Sequence, residues 1–215
     1  MKEYTAQIVE NLFTRYPDLI GQKENMLNAL TGLIKTYRNG GKLLVCGNGG
    51  SAADAEHIVG ELMKGFLLPR PLSDKLKEKL AANFPVTADY LSNNLQMALP
   101  AVSLVGQTAL NTAFANDQAP DLTFAQQVLG LGLPDDTLLA ISTSGNSANV
   151  LYAVQIAQVK GMFTIGLTGK TGGKLANLAD ITIISPAAET YLIQEHHLPI
   201  YHTLCAALEH EFFTA

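Results

Sequence analysis

Cysteine is scarce in this chain of 215 residues, which holds only Cys46 and Cys205. Two isolated thiols make no disulfide framework, so a reducing compartment is expected and both side chains are read as core packing. Basic residues are outnumbered as well, 14 Lys and Arg against 19 Asp and Glu, for a formal net charge of -5. That balance excludes a general basic field for nucleic acid or for an anionic membrane surface, so any bound anion must be held locally. No apolar run approaches the roughly 20 residues of a membrane span, and "MKEYTAQIVENLF" lacks the apolar core of a signal peptide. A soluble, cytoplasmic protein is expected. Internal repeats and low-complexity tracts are absent too. Hydrophobic residues make up 47% of the chain and charged ones 15%. This composition fits one compact, oligomeric α/β domain over residues 1–215.

Two helical periodicities open the chain within residues 1–38, one through Ile8, Leu12 and Phe13 and one through Met26, Leu27, Leu30, Leu33 and Ile34. Their apolar stripes exceed what a small sheet needs and point to assembly. The pattern then changes to short apolar segments alternating with helices: "KLLVCG", "ALPAVSLV", "TLLAIS", "FTIGLT" and "ITIIS". Five such segments predict a doubly wound parallel sheet flanked by helices, since they are too few to close a barrel. Residues 66–96 interrupt the alternation as an extended insertion. Pro69, Pro71 and Pro85 forbid one continuous helix there, although Asp74 to Ala82 can form a short one. The last element runs from about Glu189 to Phe213, with a kink expected at Pro199.

Ligands of open parallel sheets bind at the carboxyl ends of strands, near helix N-termini. Two junctions qualify, "CGNGGSAADAE" and "ISTSGNSANV". In the second, Ser142, Thr143, Ser144 and Ser147 offer four hydroxyls, Gly145 permits the turn, and the next helix offers free N–H groups. A phosphate monoester needs this chemistry; a plain helix cap needs less of it. Neither junction is a Walker A motif or a dinucleotide fingerprint. His57 and Glu61 share one helical face and suit either zinc binding or proton transfer, although such pairs also occur as simple surface contacts. In "IQEHHLPIYH", Gln194, Glu195, His196, His197 and His202 are further candidates. Gln194 and His202 are separated by about 12 Å along an ideal helix and about 80° around it, so their side chains can converge on one ion.

Together these motifs resemble the sugar isomerase (SIS) domain family, and within it the phosphoheptose isomerases. The resemblance runs from about Gly40 to Phe213 and implies a flavodoxin-like fold and an aldose-ketose isomerase acting on sedoheptulose 7-phosphate. It implies that Asn48, Gly49, Gly50 and Ser51 line the substrate and that Ser142, Thr143, Ser144 and Ser147 hold its phosphate. Asn116 and Asp117 match the Asn-Asp pair that meets sugar hydroxyls. His57, Glu61, Gln194 and His202 match the zinc ligands of members that bind zinc, with Glu61 and Gln194 also facing substrate. Glu61 is then the expected base and His202 its acid/base partner. His196 and His197 match no ligand and are read as packing or solvated residues. The resemblance also implies a homotetramer with interfacial active sites, built on helix bundling by residues 1–38.

Two features depart from the family pattern: the long 66–96 insertion, and Tyr191 where a polar residue is common. The rival readings are a non-catalytic regulatory tetramer similar to the DnaA initiator-associating protein, and an isomerase for another sugar phosphate. The first branch lacks equivalents of Glu61 and His202; the second generally lacks the His/Glu and Gln/His set.

Overall fold

The computed structural model describes residues 1–214 and follows the two periodicities of the chain. Helices α1 (Glu3–Arg15) and α2 (Lys23–Arg38) come first, then strand β1 (Leu43–Gly47) and helix α3 (Gly50–Met63). Next come α4 (Asp74–Asn83), α5 (Ala88–Asn94), β2 (Ala101–Ser103), α6 (Thr108–Asp117) and α7 (Thr123–Leu131). Strand β3 (Thr137–Ile141), α8 (Ala148–Val159), β4 (Phe163–Gly169), β5 (Ile181–Ser185) and the long α9 (Thr190–Phe213) complete the order. All five expected strands form and pair in parallel as β2-β1-β3-β4-β5, the doubly wound, flavodoxin-like order.

Every residue of β1 and of β3 is buried because helices cover both faces of the sheet. Alternation within β1 assigns the faces. Leu43 and Val45 pack with Val9, Leu30, Ile58 and Leu204, which come from α1, α2, α3 and α9. Leu44 and Cys46 pack with Val128, Val150 and Val154 from α7 and α8. Cys205 is buried too, so both thiols serve as core, as expected. Strand order reverses between β1 and β3, whose carboxyl ends feed α3 and α8. That crevice is where a ligand is expected.

The N-terminal helices spend most of their apolar stripe inside the chain: Val9, Leu12, Phe13, Met26, Leu30 and Leu33 are all buried. A groove of about 610 Å³ remains between α1 and α9, lined in part by Tyr4, Ile8, Tyr16, Leu198 and Ala206, and it reaches His202. Helix α9 runs through Pro199 as one element.

Within residues 66–96 the expected short helix is α4, which buries none of its residues, and a second helix, α5, follows it. The insertion starts from a buried ion pair. Arg70 Nε donates to Glu209 Oε1 at 2.8 Å, while the Arg70 guanidinium also donates to the carbonyls of Leu62 at 2.6 Å and Glu61 at 3.0 Å. Glu209 accepts three further bonds, from the N–H groups of Phe66, Leu67 and Leu68 at 2.8, 2.7 and 3.0 Å. The Met97 N–H donates to the Arg70 carbonyl at 2.8 Å, so the end of the insertion is tied to its start.

Candidate functional site

Helix α3 begins immediately after the β1 turn, and its Asp54, His57 and Glu61 follow one another at spacings of three and four, which puts them on one face. Helix α9 packs against that face because it returns on the same side of the sheet. His57 Nε2 consequently stands 3.2 Å from Glu61 Oε1 and 3.4 Å from His202 Nε2. The other ring nitrogen, Nδ1, is 3.0 Å from the Tyr201 hydroxyl. Lys64 Nζ donates to Glu61 Oε2 at 3.0 Å. Burial, reinforced by the neighbouring His57, pushes the His202 pKa down, against a smaller upward pull from Glu61. Neutral His202 is therefore favoured near pH 7, where it can take up a proton.

Gln194, two turns before His202, lies at the start of α3. A Cβ added to Gly50 would stand 2.3 Å from Gln194 Nε2, so the amide lies directly against the backbone of this turn. Glu61 and His202 thus both contact His57 along α3 and α9, while Gln194, the fourth expected ligand residue, faces the turn before α3. Ser51 is buried, whereas Asn48, Gly49 and Gly50 are exposed at the carboxyl end of β1.

The hydroxyl-rich loop lies at the end of the adjacent strand β3. Ser142 and Ser147 hydroxyls are 3.0 Å apart, and the Ser144 hydroxyl accepts the Asn146 N–H at 3.2 Å. Gly145 has φ of 63°, and a Cβ on it would meet the Gly172 carbonyl oxygen at 1.9 Å. The loop is thus wrapped against a second turn, and the Leu175 N–H donates to the Gly145 carbonyl at 3.0 Å. Asn149 and Asn48 exchange two amide bonds, each of 2.9 Å, which tie α8 to the β1 turn. The two junctions therefore form one continuous wall.

Among the described residues Asn116 and Asp117 make no hydrogen bond to this wall. They are exposed in the last turn of α6, about 12–13 Å along that helix from its start, and Asn116 Nδ2 donates to Asp117 Oδ1 at 2.8 Å. His196 contacts Ser185 Oγ at 2.8 Å and Asp18 at 3.1 Å, and His197 is fully buried against the Thr168 carbonyl at 3.2 Å, so both belong to packing as expected. Tyr191 is exposed. Sequence reasoning passed over Asp54, Asn149, Tyr201 and Arg70. The spacing of Asp54 to His57 and of Tyr201 to Gln194, three and seven, signalled shared faces for the first and third; nothing local marks an arginine in "LLPRPL" as buried.

Two imidazoles, a carboxylate and an amide oxygen suit zinc, and the 3.2 and 3.4 Å separations match neighbouring donors around a tetrahedral ion with bonds of about 2.0–2.1 Å. Lone pairs meeting this closely also require a cation or proton between them. Among the described residues, however, no three His, Cys, Asp or Glu side chains already stand together as a complete metal site. The fit is one of donor type and of pairs through His57.

SIS domain models match residues 4–85 and 109–208. A phosphoheptose isomerase of Aneurinibacillus thermoaerophilus is 39% identical over 183 residues, covering 85% of this chain and 79% of that protein. The chain belongs to the phosphoheptose isomerase family of SIS domain proteins. A second relative so named, from Thiobacillus denitrificans, is 43% identical over 180 residues, 82% of this chain and 78% of its own. Among solved structures, the phosphoheptose isomerase of Neisseria gonorrhoeae superposes with a TM-score of 0.70 at 33% identity, over 93% of this chain and 97% of that one. The enzyme of Francisella tularensis gives 0.72 at 32%, over 96% and 93%. Among the described residues no helix is long and apolar enough to cross a membrane.

Proposed function

We propose that this chain is a phosphoheptose isomerase, interconverting sedoheptulose 7-phosphate and D-glycero-D-manno-heptose 7-phosphate. The observation that carries this reading is the meeting of Glu61 and His202 at His57, beside a wall that continues into the hydroxyl-rich loop. The loop hydroxyls of Ser142, Thr143, Ser144 and Ser147, with the free N–H groups at the start of α8, hold the phosphate and fix the far end of the sugar. Asn48, Gly49, Gly50, Ser51 and Gln194 line the reacting end. Glu61 removes the carbon-bound proton between the two reacting carbons through its Oε1, while Lys64 holds Oε2. His202 gives and takes the oxygen-bound protons, including those of ring opening.

His57, Glu61, Gln194 and His202 are the residues that would hold zinc. Bound there, the ion would polarise the carbonyl oxygen. The homotetramer is proposed as well, supported by the open groove beside His202 and by the exposure of Asn116 and Asp117, which then serve a site shared with another subunit. Light scattering that found only monomer would remove it.

Glu61→Gln tests the mechanism. Turnover of sedoheptulose 7-phosphate in D2O, followed by proton NMR, should fall about 10²–10⁴-fold together with deuterium incorporation, while substrate still binds. Undiminished exchange in this variant would end the assignment. Binding to a replication initiator by a chain devoid of isomerisation would favour the regulatory reading instead.

A further inference from the structure

We infer that Asn149 is a positioning residue, which fixes the end at which the Asn48 side-chain amide donates and the end at which it accepts on the substrate wall; this rests on the proposed role of Asn48 in lining the sugar phosphate. Asn48 is exposed just past β1, and Asn149 is half-buried in the first turn of α8. Asn48 Nδ2 donates to Asn149 Oδ1, and Asn149 Nδ2 donates to Asn48 Oδ1, each at 2.9 Å. Such a reciprocal pair leaves its own orientation open, because turning over both amides together restores the same two bonds.

The backbone of α8 removes that freedom. The Val150 N–H donates to Asn149 Oδ1 at 3.0 Å, and a turned-over amide would set Nδ2 against this N–H, donor against donor. Asn149 Oδ1 therefore accepts from both Val150 and Asn48, which uses both of its lone pairs. Asn48 keeps a free N–H on Nδ2 and a free lone pair on Oδ1, on ends that cannot exchange. The distinction matters for an aldose-ketose substrate, since a carbonyl oxygen only accepts whereas a hydroxyl also donates. The Val150 N–H belongs to the same helix start whose earlier N–H groups face the phosphate loop, so one element orients the groups at both ends of the wall. It also donates to the Ser147 carbonyl at 3.1 Å. Removing the Asn149 amide therefore strands no backbone donor, and the loss falls on the orientation of Asn48.

A double-mutant cycle on the full-length protein, read as turnover of sedoheptulose 7-phosphate, tests this. Asn149→Ala should lower kcat/KM about 3–10-fold with an unchanged urea unfolding midpoint, and Asn48→Ala should lower it at least as much. The double variant should be no slower than Asn48→Ala alone, because Asn149 acts through Asn48. Asn149→Asp keeps the shape and the acceptor but cannot donate to Asn48 Oδ1, so it should match Asn149→Ala. In ¹⁵N spectra of the free protein, the two protons of the Asn48 side-chain amide, assigned by their loss in Asn48→Ala, should resonate far apart and draw together in Asn149→Ala. Losses that multiply in the double variant would overturn the inference, as would an Asn149→Ala variant with undiminished turnover. The spectra need no turnover. A chain that fails to isomerise heptose phosphate would sink the isomerase reading, while Asn48 protons that respond to Asn149→Ala would still uphold this one and unresponsive protons would overturn it.

Discussion

Replacing Glu209 should show how the insertion and the site are held together. The Arg70 and Glu209 side chains are 0% and 1% exposed and meet at 2.8 Å. An ordinary buried pair can often be exchanged for apolar residues at little cost, whereas removing one partner costs about 3–5 kcal/mol. Glu209→Gln leaves the guanidinium buried without its counter-charge, so a loss of about 3–5 kcal/mol is expected. The double variant Arg70→Met/Glu209→Leu separates this pair from the ordinary case. It removes both charges but also strands the N–H groups of Phe66, Leu67 and Leu68, which all donate to Glu209. At about 1 kcal/mol or more for each orphaned donor, the double variant should remain about 3 kcal/mol less stable than the parent. Urea unfolding at fixed protein concentration, read by far-ultraviolet circular dichroism, measures both. A double variant as stable as the parent would refute the reasoning, because the backbone bonds would then contribute nothing. Since Arg70 also holds the Glu61 carbonyl at 3.0 Å, kcat should fall in both variants before global unfolding begins.

Gly145→Ala should damage the phosphate loop selectively. A left-handed backbone at φ 63° costs a non-glycine residue about 1–2 kcal/mol, and the new Cβ would collide with the Gly172 carbonyl, so KM should rise about tenfold or more while kcat changes less; an unchanged KM would exclude the loop from phosphate binding. His197 predicts an acid-side instability. Its folded pKa is lowered from 6.5 to about 4, chiefly by burial and against the pull of the Thr168 carbonyl. Between those values the unfolded chain binds a proton that the folded chain does not, so stability is intact above about pH 6.5 and declines by about 3 kcal/mol as pH falls to about 4. In His197→Gln the slope of unfolding free energy against pH should flatten across that window, and an unaltered slope would show that another group titrates there.

The strands were legible because parallel strands covered on both faces are short apolar runs, and β1 and β3 are buried throughout. Ser142 to Ser147 and the pair His57 and Glu61 were legible for the same kind of reason: each is a local feature, defined by a turn or by one helical face. The stripe on α1 and α2 marked a buried face, whose core residues cover the sheet of their own chain, while the groove beside α9 stays open. Residue order alone established which faces exist. Which faces meet was decided by the course of the chain through space: the crossover that returns α9 to the α3 side joins Tyr201 and His202 to His57 and encloses Arg70 with Glu209. Those contacts join residues 139 to 145 positions apart in sequence, and periodicity over a few turns of helix carries no information about partners at such separations.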